Sequence, residues 1–136
     1  MLVNKKNYQS IWIDSLNKVK IIDQTLLPFE FKVIELESLE GTAEAIINMR
    51  VRGAPLIGVT AAFGLYLSIK KSNQEVDIIK ARDHLISTRP TAINLKWAVD
   101  RMVEKIIKTK KELREAEALA IAKKMHLDDQ DINEMI

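Results

Sequence analysis

The chain has 136 residues, of which 47% are hydrophobic and 29% charged, as is typical of one small soluble domain with its own core. The formal net charge of +2 gives no electrostatic reason to expect binding to nucleic acid or to an anionic membrane. Because the sequence contains no cysteine, disulfides, thiolate nucleophiles and cysteine metal sites are excluded. The first residues lack the apolar stretch of a secretory signal, so a cytoplasmic location is expected.

The N-terminal quarter of the chain has the pattern of short β-strands. Residues 11–16 and 19–23 form two short runs with apolar and polar residues interleaved. Asn17 and Lys18 lie between the two runs and favour a tight turn, so the runs predict a hairpin. Residues 31–36 alternate again and predict a third strand.

Helical periodicity follows this predicted sheet. Ser38 or Thr42 is expected to cap a first helix that runs to about Met49. A second helix is predicted over residues 55–71, because its proline suits the first helical turn. Residues 54–69 carry no charge, but this stretch is shorter than the about 20 residues of a membrane span. The second helix is therefore predicted to be buried within the domain.

A third helix is predicted over residues 76–87, and the arginine–proline pair that follows ends it. Asn94 or Thr91 is expected to cap a fourth helix. The fourth helix has an apolar face at helical spacing, formed by Leu95, Val99, Met102, Val103 and Ile106.

The C-terminal part of the chain predicts two further helices. Thr109 and Glu112 fit the S/T-x-x-E pattern of a capping box, so a fifth helix is expected from there to about Met125. Asp128 is expected to cap a sixth helix.

This order of elements predicts an α+β fold in which a small antiparallel sheet of about three strands precedes a helical bundle. The β part is expected over residues 1–37 and the helical part over residues 38–136. The whole chain, residues 1–136, is predicted to form a single domain.

The segment of residues 52–58 combines three features of an anion contact. Gly53 lets the backbone approach a ligand closely, and a helix that starts near Pro55 points its first N–H groups at the same place. Arg52 adds a positive charge with several donors. Arginine–glycine turns also precede helices that bind nothing, so this segment alone favours a structural role.

A second segment, residues 88–95, lies between the third and fourth predicted helices. Arg89 could bind an anionic group of a substrate. Thr91 and Asn94 could do the same, but capping the next helix explains both more simply.

Other conspicuous residues have simpler structural interpretations. The small residues Gly58, Ala61, Ala62 and Gly64 are expected to let another helix pack closely. Trp97 is expected in the core or facing a partner. The acidic residues Asp128, Asp129 and Asp131 lack the pattern of a calcium loop, so no metal site is predicted.

Three segments together resemble a known family. Residues 22–28 resemble its "DQT-x-LP" sequence, residues 49–58 its "M-x-VRGAP-x-IG" signature, and residues 88–98 its "TRPTA-x-NL-x-WA" sequence. Their order and separation also fit. The chain thus resembles the methylthioribose-1-phosphate isomerases, which are related to the regulatory subunits of an initiation-factor exchange complex. The resemblance extends from about Tyr8 to the end of the chain.

The resemblance implies conversion of 5-methylthioribose 1-phosphate to 5-methylthioribulose 1-phosphate in methionine salvage, without an organic cofactor and without a metal. It also implies substrate contacts by the arginine–glycine–alanine loop and by the arginine of the "TRPTA" sequence. These positions are Arg52, Gly53, Ala54 and Arg89 in this chain.

In this family a cysteine and an aspartate in a Rossmann-like C-terminal domain carry out the isomerisation. This chain is expected to end before that domain, so no catalytic residue is assigned to it and the fragment alone is expected to be inactive. The resemblance further implies a sugar-phosphate ligand, with either a homodimer or a separate chain that supplies the C-terminal half.

Two other hypotheses remain open at the level of the sequence. One is a non-catalytic interaction module like the initiation-factor regulatory subunits, which are expected to lack the "VRGAP" and "TRPTA" sequences. The other is a remnant without a stable fold, in which an exposed partner face that includes Trp97 would lead to aggregation.

Overall fold

The computed structural model describes residues 11–23, 25, 29–30, 32–51 and 53–135. This part of the chain folds as a three-stranded antiparallel sheet followed by helices, which confirms the predicted α+β class. The strands, in the spatial order β1-β2-β3, are β1 Ile11–Ile13, β2 Val19–Ile22 and β3 Val33–Leu36. The helices are α1 Leu39–Ile47, α2 Ala54–Lys71, α3 Glu75–Thr88, α4 Ile93–Ile107 and α5 Arg114–Met135, with a 3₁₀ turn at Lys111–Leu113.

The turn between β1 and β2 is stabilised by an aspartate side chain and by a residue in the left-handed backbone conformation. The Asp14 carboxylate accepts hydrogen bonds from the backbone N–H groups of Leu16 at 2.8 Å and Lys18 at 3.0 Å. Asn17 has a φ of 60°, a conformation that asparagine tolerates better than most residues. The predicted tight turn is confirmed. The predicted third strand is confirmed from Val33, while Phe31 lies outside the described residues.

Ser38 caps α1, because its hydroxyl oxygen accepts a hydrogen bond from the backbone N–H of Gly41 at 3.0 Å. Of the two predicted caps, Ser38 is therefore confirmed and Thr42 is wrong. The Thr42 hydroxyl instead donates to the Ser38 carbonyl at 2.9 Å, one turn inside the helix.

Helix α2 lies at the centre of the bundle and packs against the other four described helices. Residues 57–67 are all buried, which confirms the interpretation of the uncharged stretch as an internal helix. Among the described helices, none has the length and apolar character needed to cross a membrane.

Two glycines let the neighbouring helices approach α2. A Cβ atom at Gly64 would lie 2.6 Å from Cγ2 of Thr42 in α1. A Cβ atom at Gly58 would lie 3.2 Å from the carbonyl oxygen of Asn94 in α4. Both distances are short for carbon, so the prediction of close helix packing at these small residues is confirmed.

Helix α4 buries the predicted apolar face completely. The prediction of its cap is wrong, because Ala92 is the N-cap and no side chain makes a capping hydrogen bond. Asn94 lies inside the first turn, since the helix begins at Ile93, and Thr91 lies one residue before the cap.

The predicted capping box of the fifth helix is also wrong. The Thr109 hydroxyl donates to the Lys105 carbonyl at 3.1 Å, and Glu112 lies within the 3₁₀ turn. Arg114, the first residue of α5, organises this region instead. Its guanidinium donates to three backbone carbonyls, those of Asn73 at 2.9 Å, Ile107 at 3.2 Å and Thr109 at 3.2 Å.

The predicted sixth helix does not exist as a separate element, because α5 continues through Asp128 to Met135. The reason lies in the sequence of residues 114–135, which contains no glycine or proline to end the helix. An aspartate can cap a helix only where the helix begins, and Asp128 lies inside one.

Candidate functional site

The two motif loops lie at one end of the helical bundle. Gly58 belongs to the first turns of α2, and Asn94, which it contacts, belongs to the first turn of α4. The N-termini of α2 and α4 therefore lie side by side. The described residues of the loops that lead into them, 50–51 and 53 in one and 89–92 in the other, share this end of the bundle, which we call the motif end.

The segment that leads to α2 begins with a strained turn at the end of α1. The backbone N–H of Met49 donates to the Ile46 carbonyl at 3.2 Å, and that of Arg50 donates to the Ala45 carbonyl at 2.9 Å. This is a Schellman motif, in which the residue at the left-handed position is usually glycine. Here that residue is Met49, with a φ of 58°. The chain thus adopts an unfavourable conformation directly before the motif loop.

Arg50 forms an ion pair with a buried aspartate at the end of the sheet. Its Nη1 lies 2.5 Å from Oδ2 of Asp23, whose residue exposure is 1%. The other Asp23 oxygen accepts hydrogen bonds from the hydroxyl and the backbone N–H of Thr25, at 2.5 and 3.0 Å. Burial acts to raise the pKa of Asp23, but these bonds from Thr25 and Arg50 together outweigh it and hold the pKa below its ordinary value.

The same arginine also contacts α1. Its Nε lies 3.1 Å from the carboxylate of Glu44, which accepts a further hydrogen bond from Asn48 at 2.6 Å. The bonds to Glu44 and to Asp23 raise the pKa of Arg50 further, so its charge is permanent. The next residue, Val51, is completely buried. Side-chain contacts therefore fix the chain as far as Val51.

Gly53 is the N-cap of α2, with a φ of 94° that side chains rarely permit. A Cβ atom there would meet nothing within 4 Å, so the backbone conformation rather than space requires glycine. Among the described residues, no side chain makes a capping hydrogen bond to this helix. Ala54 is its first residue and Pro55 its second, as predicted, whereas Arg52 lies outside the described residues.

Arg89 is the C-cap residue of α3 and lies at the motif end, half-buried. Its carbonyl accepts a hydrogen bond from the Ala92 N–H at 2.9 Å, which closes the turn into α4. Within the described part of the chain, its guanidinium makes no hydrogen bond or ion pair. The structure thus brings Gly53, Ala54 and Arg89 to the same end of the bundle.

The outer face of α4 continues from this loop and is open. Trp97 is 58% exposed, and the Arg101 guanidinium carbon lies 5.0 Å from the centre of its ring, a cation–π contact. Pro90 and Ile93 line the same shallow groove. The prediction that Trp97 lies in the core is therefore wrong.

Sequence reasoning missed the roles of Asp23, Glu44 and Arg50. Asp23 and Arg50 both lie in segments that carry the family resemblance, and this position was the one sequence feature that could have pointed to them. Among the described residues, no group of three or more histidine, aspartate or glutamate side chains could hold a metal ion.

Comparison with known proteins identifies the family. Residues 50–136 match the family described as "Initiation factor 2 subunit family", and the chain belongs to this family. The matched region begins at Arg50 and includes both loops of the motif end.

Within the family, the chain is similar to a methylthioribose-1-phosphate isomerase of Methylocella silvestris, with 45% identity over 130 residues that make up 95% of this chain and 36% of that protein. The crystal structure of subunit delta of the translation initiation factor eIF-2B from A. fulgidus matches 90% of this chain and 38% of its own, with a TM-score of 0.83 and 35% identity. The crystal structure of 5-methylthioribose 1-phosphate isomerase from Pyrococcus horikoshii OT3 matches 88% of this chain and 37% of its own, with a TM-score of 0.71 and 39% identity.

This chain spans only about a third of the isomerases it matches, from 28% to 38% of their length. The activity of those longer proteins is therefore a proposal for this chain.

Proposed function

We propose that residues 1–136 form the N-terminal substrate-binding domain of a methylthioribose-1-phosphate isomerase, which converts 5-methylthioribose 1-phosphate to 5-methylthioribulose 1-phosphate in methionine salvage. The observation that carries this proposal is the contact between Gly58 and Asn94. It brings together the two segments that most closely resemble the isomerase signatures, at one end of the bundle. Isomerases that are 38–50% identical to this chain support the assignment.

The motif end has the chemistry to hold a phosphate group. The first N–H groups of a helix have no partner within it, and in the described part of the chain neither α2 nor α4 has a side-chain cap. The aligned peptide dipoles add partial positive charge at both N-termini. Arg89 supplies a full positive charge, and Arg52, which precedes Gly53 in the sequence, is proposed to supply another.

We propose that this chain alone binds the substrate without isomerising it. Aldose–ketose isomerisation requires positioned groups that move a proton between neighbouring carbons. The resemblance assigns that chemistry to a cysteine and an aspartate of a further domain, and this sequence contains no cysteine. An active assembly would take that domain from a separate chain or another part of a longer protein, in the cytoplasm and without a cofactor.

Isothermal titration of the purified chain with 5-methylthioribose 1-phosphate tests the proposal. We expect saturable binding that weakens at least about tenfold in Arg89→Ala and in Arg52→Ala, since each loses a charge-assisted contact. Arg82→Ala is the matched control, because Arg82 lies in α3, the helix that Arg89 caps, but pairs with Asp83 at 3.1 Å and with Asp100 at 3.8 Å. 5-Methylthioribose without the phosphate should not compete. Absence of binding, or equal binding by Arg89→Ala, would contradict the proposal.

An interaction module is the second candidate, and one observation favours it. The fold superposes more closely on the eIF-2B subunit, with a TM-score of 0.83, than on the isomerase, with 0.71. The exposed Trp97 face of α4 could serve such a role. Binding to a translation initiation factor by a chain without affinity for the sugar phosphate would decide for this candidate.

A further inference from the structure

We propose that Asp23 and Arg50 are positioning residues, which lock the described residues of the motif loop, 50–51 and 53, against the sheet and α1 in the geometry that accepts the sugar phosphate. This inference rests on the proposed function for the identity of the ligand. The lock itself is a property of the free chain.

Asp23 provides a rigid anchor for the loop. It directly follows β2, and its backbone N–H donates to the Lys32 carbonyl at 2.9 Å, so the main chain is held in place. Its side chain is 2% exposed and is fixed by both bonds from Thr25. A carboxylate with this many partners has little freedom to follow a moving arginine.

Arg50 joins this anchor to α1 through a single guanidinium group. Nη1 bonds to Asp23 and Nε bonds to Glu44, so the two contacts fix both the position and the orientation of the group. A lysine has one nitrogen and cannot reproduce this geometry. Only two residues separate Arg50 from Gly53, so movement of the arginine is transmitted directly to the N-terminus of α2.

The backbone on both sides of this contact explains why a lock is needed. Met49 and Gly53, which flank the segment, have φ values of 58° and 94°. The Met49 conformation persists only when the surrounding structure holds it, and Gly53, which can adopt many conformations, is also fixed only if its neighbours hold it. Without the ion pair, the turn could relax and the N–H groups at the start of α2 would no longer point consistently at one place.

Asp23→Asn and Arg50→Lys, alone and combined, test the proposal by titration with 5-methylthioribose 1-phosphate and by thermal unfolding. Each single variant should weaken binding about tenfold. The double variant should bind no more weakly than either single variant, because both residues act through one contact. Ile106→Ala is the control, since it opens a cavity in the core at the far end of α4 and should lower the melting temperature without changing affinity.

A measurement on the chain without ligand tests this inference independently of the proposed function. The sequence has only four glycines, so the amide signal of Gly53 can be followed in a ¹H–¹⁵N spectrum. It should shift and broaden in Asp23→Asn and Arg50→Lys but not in Ile106→Ala. If the wild-type chain binds no sugar phosphate, the proposed function fails, and this spectrum still decides about the lock. An unchanged Gly53 signal in both variants, or affinity that falls equally in Ile106→Ala, would overturn the inference.

Discussion

The two ends of the helical bundle use their polar side chains in different ways. At the opposite end, formed by residues 72–74 and 107–114, Arg114 donates to three backbone carbonyls. The Asn73 amide donates to a fourth, that of Lys111, at 3.2 Å. At the motif end, the N-caps of α2 and α4 are Gly53 and Ala92, and neither helix has a side-chain cap.

This difference separates a structural end from the end that we propose binds the substrate. The opposite end satisfies exposed backbone groups with its own side chains, which stabilises the fold. At the motif end, Arg50 pairs with Asp23 and Glu44, and we propose that these contacts hold the loop so that its backbone donors can bind a ligand. Changes at the opposite end should therefore affect stability alone, whereas changes at the motif end should affect binding as well.

The largest expected effect is that of Arg50→Met, which leaves the carboxylate of Asp23 buried without its cation. We expect a loss of about 3 kcal/mol in the free energy of unfolding, measured by urea denaturation. Arg82→Met is the matched control, because the side chains of its partners Asp83 and Asp100 are 63% and 39% exposed, and it should cost at most about 0.5 kcal/mol. Equal losses in the two variants would show that the pair with Asp23 does not differ from a surface contact.

Arg114→Ala should lower the free energy of unfolding by about 2 kcal/mol, because three carbonyls lose a charged donor. Its affinity for the sugar phosphate should equal that of the wild-type chain. Urea denaturation and isothermal titration measure the two quantities. Weakened binding would mean that the two ends do not have separate roles.

Gly53→Ala should cost about 1 kcal/mol of stability, because its φ of 94° is unfavourable for any residue with a Cβ atom. Binding should weaken as well, since the N-cap of α2 moves. Gly41→Ala is the control, and it should instead raise the free energy of unfolding. Gly41 lies within α1, where alanine is favoured by about 1 kcal/mol over glycine, and its new Cβ would make only ordinary contacts. A stabilising Gly53→Ala change would contradict the described loop geometry.

The smallest expected effect is the pH dependence due to Asp23. Its pKa is lower in the folded chain than the ordinary value of 3.8, so below that value the unfolded chain binds more protons than the folded one. The contribution of Asp23 to stability is therefore complete above about pH 5 and falls as the pH drops through its folded pKa. Asp23→Asn should lose stability less steeply than wild type between about pH 5 and pH 3. Parallel curves would show that this carboxylate is not stabilised by its partners.

Much of the fold could be predicted because its signals are local. The apolar spacing in α4, the proline at the start of α2 and the small residues Gly58 and Gly64 each act within a few residues or one helix face. The caps were harder to predict, since a threonine or aspartate that could cap a helix does so only if the helix begins there. Thr109 does not cap the fifth helix, because Arg114 organises that region instead. Asp128 does not cap a helix either, because no glycine or proline ends α5 before it.

The candidate site could be predicted only in part. Gly53 and Arg89 were found from motifs, and the fold places both at one end of the bundle. The pair of Asp23 and Arg50 was missed because 27 positions separate the two residues and no local pattern links them. Such a contact exists only once the chain has folded.

The most direct test of the central claim is a ¹H–¹⁵N spectrum of the chain titrated with 5-methylthioribose 1-phosphate. We predict saturable shifts confined to the motif end, at Gly53, Leu56, Arg89 and residues 91–94. The signals of Asn73 and Arg114 at the opposite end should not move. Shifts concentrated at the opposite end, or no saturable shift anywhere in the spectrum, would contradict the assignment of the motif end as the substrate-binding site.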